Sequence, residues 1–457
     1  MQGRFPMSDQ SKSRGSGSRR EFLKKTSVAA ATAAIPLIVP RSVHSARAVK
    51  QETLNIGLVG TGGRGTGAVG NSLNSNSQVK IVAMADLAQD RLESSRKSLM
   101  VQWGEKGKAD IKNADCFVGP EAYEKLCEHP DVDIVIHTTP PGLRHLTLRC
   151  AVENGKHSFV EKPVCVDPSA YAHVIKSGEM AVEKKLAIVS GTQYRRENSY
   201  KDAIEQLHNG IIGDITGAFA YYCTGTLWLR GNEELHKEWG GVSGMEYQMR
   251  NWLYFAWLSG DHIAEQAVHN LDAINWGMKS PPVKAYGSGG RLKRTDEKYG
   301  DIYDHFSVDY DYPGQVRVAF KCRQIAGAKG RVSNRFCGTK GTMDIRPNPG
   351  NTATVVRDLN GEVIWKHGGK KGNNLPYEQE HMDLVASIRA GNPIMEIQEV
   401  ADSSMTAIIG RESAYSGQEV SFEWGTSESK MKLAPDDLTA KTNPVRPIPM
   451  PGNYSLV

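Results

Sequence analysis

Leu54-Asn55-Ile56-Gly57-Leu58-Val59-Gly60-Thr61-Gly62-Gly63-Arg64-Gly65 is the stretch on which the fold turns. Six residues with the short apolar pattern of a buried strand run straight into G-x-G-x-x-G, and a helical segment opens around Thr66. Glycines at these positions permit a tight turn, let backbone N–H groups approach a pyrophosphate, and place that anion at a helix N-terminus. A glycine-rich turn alone is weak evidence, so its surroundings decide. A second strand, Val79 to Ala85, ends in Asp86, 21 residues beyond Gly65, where an acid meets the adenosine ribose hydroxyls. The carboxylate disfavours a 2′-phosphate and Leu87 offers no compensating cation, so NAD is favoured over NADP.

Outward from this unit the strand-like runs Ile134 to Thr138, His157 to Val160 and Leu186 to Val189 alternate with helical patterns, which argues for a doubly wound parallel sheet. After Tyr194 the pattern changes to Ala218–Tyr222, Phe306–Tyr310, Val316–Phe320, Thr342–Ile345, Ala353–Arg357 and Val363–Trp365, an α+β region with a large, mostly antiparallel open sheet. Helical patterns at Glu378 to Ala390 and Val400 to Tyr415 follow and are read as packing elements without chemistry. The expected organisation is a leader (1–48), a dinucleotide-binding Rossmann domain (49–192), a substrate and oligomerisation domain (193–440) and a proline-rich tail (441–457).

The leader carries Arg19-Arg20 ahead of the uncharged, Ala-rich run Thr26 to Pro40, and Ala46-Arg47-Ala48 has the form of a cleavage site. This predicts export through the Tat machinery to the periplasm, with Val49 as the first mature residue and no membrane span in the mature protein. The leader holds nine Lys/Arg and two Asp/Glu, so its removal takes the formal charge from +5 to −2 and leaves no basic footprint for nucleic acid. Seven cysteines without a C-x-x-C pair predict neither a structural metal site nor a disulfide framework.

The reaction centre is read from two further motifs. Strand His157 to Val160 leads into Glu161-Lys162-Pro163, where a cation held near a nicotinamide hydrogen-bonds a substrate oxygen and stabilises developing alkoxide. Glu265, His269 and Asp272 follow at spacings of four and three, which put all three side chains on one helical face, with Glu265 orienting His269 as a general base. With G-x-G-x-x-G, Thr139-Pro140 followed by His145, and E-K-P in this order, the chain resembles the Gfo/Idh/MocA family of oxidoreductases over Leu54 to Tyr415. The resemblance implies hydride transfer between NAD and a sugar, polyol or sugar-derived substrate. It assigns Gly60, Gly62, Gly63, Arg64, Gly65, Asp86, Thr139, Pro140, His145, Glu161 and Lys162 to the cofactor and Lys162, His269 and Glu265 to catalysis. The family pattern at the later helix is D-x-x-x-H-x-x-D, and Glu265 replaces its first acid.

That departure leaves two other classes open: an NAD-dependent glycoside hydrolase or lyase working by transient oxidation and elimination, and a non-catalytic carbohydrate-binding protein. Arg195, Arg196, Asp272 and His262 are weaker substrate-contact candidates. Trp252, Tyr254, Phe255 and Trp257 fit core packing better than sugar stacking. An open sheet face favours a homo-oligomer.

Overall fold

Strand β1 (Leu54–Val59) lies at the centre of a six-stranded, wholly parallel sheet, with β2 (Val79–Asp86) on one side and β4 (Ile134–His137) on the other. With β3 (Cys116–Val118), β5 (His157–Val160) and β6 (Ile188–Ser190) the order is β3-β2-β1-β4-β5-β6, the doubly wound arrangement in which ligands bind at the carboxyl ends where the strand order reverses. The computed structural model describes residues 53–347, 354–368 and 374–457. The predicted leader, with Arg19-Arg20 and the cleavage site, lies outside them, as does Ala353 at the start of one predicted strand.

Both faces of this sheet are covered, as near-continuous apolar strands require. Ile56 and Leu58 pack with Val69 and Leu73 of helix α1 (Gly63–Ser75) and with Leu92 and Leu99 of α2 (Gln89–Trp103). Val59, Ala83 and Ala85 face Leu126 and Val132 on the other side. Gly57 sits where a β-carbon would meet Leu126 at 2.7 Å, so glycine there lets the covering helix approach.

Among the described residues the second sheet has nine strands. Its strands are β7 (Ile215–Thr224), β8 (Lys284–Gly290), β9 (His305–Tyr312), β10 (Val316–Gln324), β11 (Arg331–Gly338), β12 (Gly341–Ile345), β13 (Val355–Asp358), β14 (Val363–Lys366) and β15 (Glu419–Ser421). They run in the order β14-β13-β12-β11-β7-β10-β9-β8-β15, antiparallel except for β7 beside β10. The open, mostly antiparallel sheet is as read from the sequence; β3, β8, β11 and β15 are additional. Helix α3 (Val268–Met278) packs on one face of this sheet, together with α5 (Ile397–Ser416). Helix α5 is buried along nearly its whole length, and α4 (Pro376–Arg389) crosses back to lie on α1. All seven cysteines are free thiols. Among the described residues no helix is long and apolar enough to cross a membrane.

Two imidazoles in this core make a prediction. His137 on β4 is fully buried between Thr147 Oγ1 (3.0 Å) and Ser158 Oγ (3.2 Å), and His381 on α4 packs its ring on Phe159 at 4.2 Å. Burial first, and then Arg144 or Arg64 nearby, pushes both down to about 3. In the unfolded chain each takes up a proton near its ordinary value of about 6.5, so stability is lost as pH falls below that value. At pH ~5 each costs about 2 kcal/mol. The expected result is a denaturant midpoint that falls between pH ~7 and ~5, and falls less steeply in His137→Gln; equal slopes in the two proteins would remove His137 from the account.

Candidate active site at the carboxyl edge of the parallel sheet

The glycine-rich loop leaves β1 through Gly60, whose φ of +88° is left-handed and whose missing β-carbon would lie 2.7 Å from the Thr138 carbonyl carbon and Thr139 nitrogen. Gly65 packs against the Gly60 carbonyl, where a β-carbon would come within 2.2 Å. Gly62 and Gly63, in contrast, face open space. Gly62 caps α1 without any side-chain hydrogen bond, so the first-turn N–H groups stay available to an anion. The Thr139 hydroxyl is buried beside this loop with no partner among the described residues. A helix N-terminus with an uncovered glycine cradle fits a dinucleotide pyrophosphate.

Asp86 closes the loop from β2. Its Oδ2 accepts hydrogen bonds from the Thr61 amide (2.5 Å) and hydroxyl (2.8 Å), and its Oδ1 accepts the Ala88 N–H at 2.9 Å. The carboxylate therefore shapes the loop and the start of α2.

Arg64 turns to the motif at the end of β5: its Nε donates to Glu161 Oε1 at 2.5 Å, and its guanidinium lies 4.8 Å from the Tyr377 ring. Burial alone would raise the Glu161 carboxyl, but Arg64, Lys162 and Arg144 hold it below the usual carboxylate range. The Glu161 carboxylate fills the space where a β-carbon on Gly191 would stand. Its Oε2 accepts the Lys162 N–H at 3.2 Å, and Arg144 donates to the Pro163 carbonyl at 2.7 Å. Lys162, joined to Pro163 by a cis peptide, is thus held from both sides along the backbone.

The Lys162 ammonium donates to the Glu265 carbonyl and lies 3.7 Å from Glu265 Oε1, with both side chains largely buried. This corrects the expected arrangement. Glu265, His269 and Asp272 do not share one helical face: a short helix ends at Glu265, Gln266 and Ala267 both donate to the His262 carbonyl, and α3 begins afresh at Val268. The break turns Glu265 toward Lys162, so it does not orient His269. Among the described residues, neither Glu265 Oε2 nor His269 Nδ1, both buried, has a hydrogen-bond partner. The His269 ring packs at 5.1 Å on Tyr194. Burial, then the charges of Lys162 and Arg64, hold its imidazole well below the ordinary value, so it is neutral.

Five further candidates are engaged within the protein by packing. Asp272 is tied to Arg195 by a forked pair with contacts of 2.8 to 3.1 Å and accepts from Ser403. Arg196 points elsewhere, to Asp383 at 3.2 Å and Glu396 at 2.5 Å, so each arginine is tied to an acid of the protein. His262 is a core residue between Asp261 Oδ1 (2.8 Å) and the Cys322 thiol (3.4 Å). His145 packs its ring on His173 and joins none of the hydrogen bonds of this cluster. Of the aromatic group, Tyr254, Phe255 and Trp257 are buried core residues, as expected, while Trp252 is half-buried and packs edge-on to Trp228.

Sequence reasoning missed α4 altogether as part of this region. It brings Tyr377 and Glu380 to Arg64, and no local pattern signals a contact formed across more than 300 residues.

Residues 54–191 match the oxidoreductase family with an NAD-binding Rossmann fold, and residues 200–344 match the GFO/IDH/MocA C-terminal domain. The chain belongs to the Gfo/Idh/MocA family. It is 26% identical over 354 residues to a "Glycosyl hydrolase family 109 protein" of Shewanella amazonensis, covering 74% of this chain and 69% of that one. A "Glycosyl hydrolase family 109 protein 4" of Phocaeicola vulgatus is 28% identical over 183 residues, covering 40% of this chain and 33% of that one. Among solved structures, an aldose-aldose oxidoreductase from Caulobacter crescentus complexed with glycerol aligns with a TM-score of 0.64 and 17% identity, covering 81% of this chain and 100% of that one. The scyllo-inositol dehydrogenase of Lactobacillus casei with bound NAD(H) and scyllo-inositol aligns with a TM-score of 0.59 and 20% identity, covering 81% and 99%. At these identities the structural likeness speaks to the fold.

Proposed function

We propose that this Gfo/Idh/MocA protein transfers a hydride between NAD and a carbinol carbon of a neutral carbohydrate or polyol. The observation that carries this reading is the Lys162 ammonium, anchored on Glu265 and Glu161-fixed backbone at the carboxyl edge of the parallel sheet. Gly60, Gly62, Gly63 and Gly65, with the α1 N-terminus, would hold the pyrophosphate, and Asp86 the adenosine ribose. A bound nicotinamide supplies the hydride acceptor. Lys162 hydrogen-bonds the substrate oxygen and stabilises its charge as the C–H bond breaks, while neutral His269 accepts a proton. Mass spectrometry of the purified protein tests the reading, with NAD(H) expected in the native complex. Absence of bound dinucleotide, together with failure of added NAD to bind, would sink it.

One observation favours a second reading of the same site. Glu265 keeps a buried oxygen free and is not committed to His269, and the Shewanella relative is named a glycosyl hydrolase. Oxidising a carbinol acidifies the adjacent C–H; a carboxylate there would take that proton, the glycosidic oxygen would depart and pick up a proton, water would add across the double bond formed, and return of the hydride would close a redox-neutral cycle. In this form the enzyme cleaves a glycosidic bond with no net oxidation.

Cofactor choice follows from Asp86. Asp86→Asn keeps acceptor and size for Thr61 but deletes the charge that repels a 2′-phosphate, so the ratio of NADP to NAD affinity is expected to rise about tenfold or more, in line with 1–3 kcal/mol for a charged hydrogen-bond partner. Asp86→Ala should in addition weaken NAD itself, because the Thr61 amide and hydroxyl lose their acceptor. Titration of both nucleotides by fluorescence checks this; an unchanged ratio in Asp86→Asn removes Asp86 from the ribose site.

A further inference from the structure

Glu380, on α4, is completely buried, and neither carboxyl oxygen has a hydrogen-bond partner among the described residues. Its Oε2 lies 3.9 Å from Arg64 Nη2, which is itself buried and otherwise unpartnered. Arg196, the other cation in the neighbourhood, is already paired with Glu396 and Asp383. A carboxyl placed like this lowers stability, since burial of a polar group without hydrogen bonds is unfavourable and an apolar side chain of the same size would fill the space at no such cost. Packing therefore gives no reason for an acid at this position.

The neighbours give one. Arg64 is gripped from three directions: Glu161 on its Nε at 2.5 Å, the Tyr377 ring at 4.8 Å, and Glu380 on its Nη2 side. Tyr377 and Glu380 sit one turn apart on α4, and the next residue, Glu378, hydrogen-bonds Asn74 on α1. Glu161 in turn receives the Lys162 N–H. We infer that Glu380 is a positioning residue for Lys162, acting through Arg64 and Glu161, so that a helix from the far end of the chain sets the geometry of the hydride-transfer site. Burial and the neighbouring Glu161 raise its carboxyl well above the ordinary range, and its Oε2, 3.9 Å from Nη2, bounds that side of the guanidinium.

The inference rests on the proposed hydride-transfer activity only for its kinetic arm. Glu380→Leu should raise the thermal midpoint, because the unpartnered carboxyl is gone. It should also broaden the Arg64 Nε–H resonance in a 15N-arginine-labelled sample, assigned by its loss in Arg64→Met. Single-turnover hydride transfer should fall about 10- to 30-fold with NAD affinity within about threefold, as expected when a group of an acid/base site is displaced rather than removed. Glu380→Gln, a neutral isostere, should restore both resonance and rate. In a double-mutant cycle, Glu380→Leu added to Arg64→Met should cost nothing further. An unaltered Arg64 resonance with unaltered turnover in Glu380→Leu, or additive losses in the cycle, would overturn the proposal. If neither Glu380→Leu nor Glu380→Met folds, Glu380 is a structural residue and the proposal likewise falls. Should the wild-type protein transfer no hydride to any carbohydrate, the activity assignment is what fails; the resonance comparison still decides for or against Glu380.

Discussion

Lys162→Met is expected to slow hydride transfer by about 10² to 10⁴ while leaving dinucleotide binding within a few-fold of wild type, the range found when a positioned acid/base group is removed. That loss corresponds to roughly 3–5 kcal/mol of transition-state stabilisation. The side chain is held by Glu265 through both its carbonyl and its carboxylate, and its backbone by Glu161, none of which belongs to the glycine-rich loop. Methionine keeps the length and the buried stem but has no ammonium, so the change removes the charge that an alkoxide needs and leaves the packing intact. Stopped-flow measurement of bound-NAD reduction with a verified carbohydrate, beside an NAD titration of the same protein, separates the two effects. Full turnover in the variant would place the chemistry elsewhere; loss of NAD binding would make Lys162 a cofactor anchor.

The two sheets were readable because their central strands are short apolar runs bounded by turn residues. The β1–loop–α1 unit carried the clearest signal, since Gly60 and Gly65 are dictated by close backbone approach. The strands that escaped, such as β8 with Lys284-Ala285-Tyr286-Gly287-Ser288-Gly289-Gly290, lack apolar alternation and exist because β9 and β15 pair with them. At the site, E-K-P was visible and its partners were not. A spacing of four and three describes a helix only if the helix is continuous. Gly260 and Asp261, both at positive φ, restart the backbone just before Glu265, and the double donation to the His262 carbonyl ends the turn there. The pairing of Arg195 with Asp272, and of Arg64 with residues on α4, depends on tertiary contacts between distant segments. Each of these long-range pairs changes what a candidate residue is free to do.

The break at Gln266 and Ala267 also sets the expected behaviour of Glu265→Gln, which preserves size and hydrogen-bonding capacity and deletes only the charge. Because Glu265 faces Lys162, not His269, its backbone carbonyl continues to receive the ammonium in the variant, and first-turnover reduction of bound NAD should survive within about tenfold. The free Oε2 is different. If it takes the proton made acidic by oxidation, an amide cannot replace it, and release of the glycosidic leaving group should fall by at least about 10², again the scale of a lost general base. Reduced cofactor would then accumulate on the protein, because the cycle stalls before hydride is returned. Following bound NADH and free glycoside product in the same reaction distinguishes the stages. A fall of equal size in both signals would mean that Glu265 serves only the hydride step, leaving a dehydrogenase whose resemblance to glycosyl hydrolases is one of ancestry and not of chemistry.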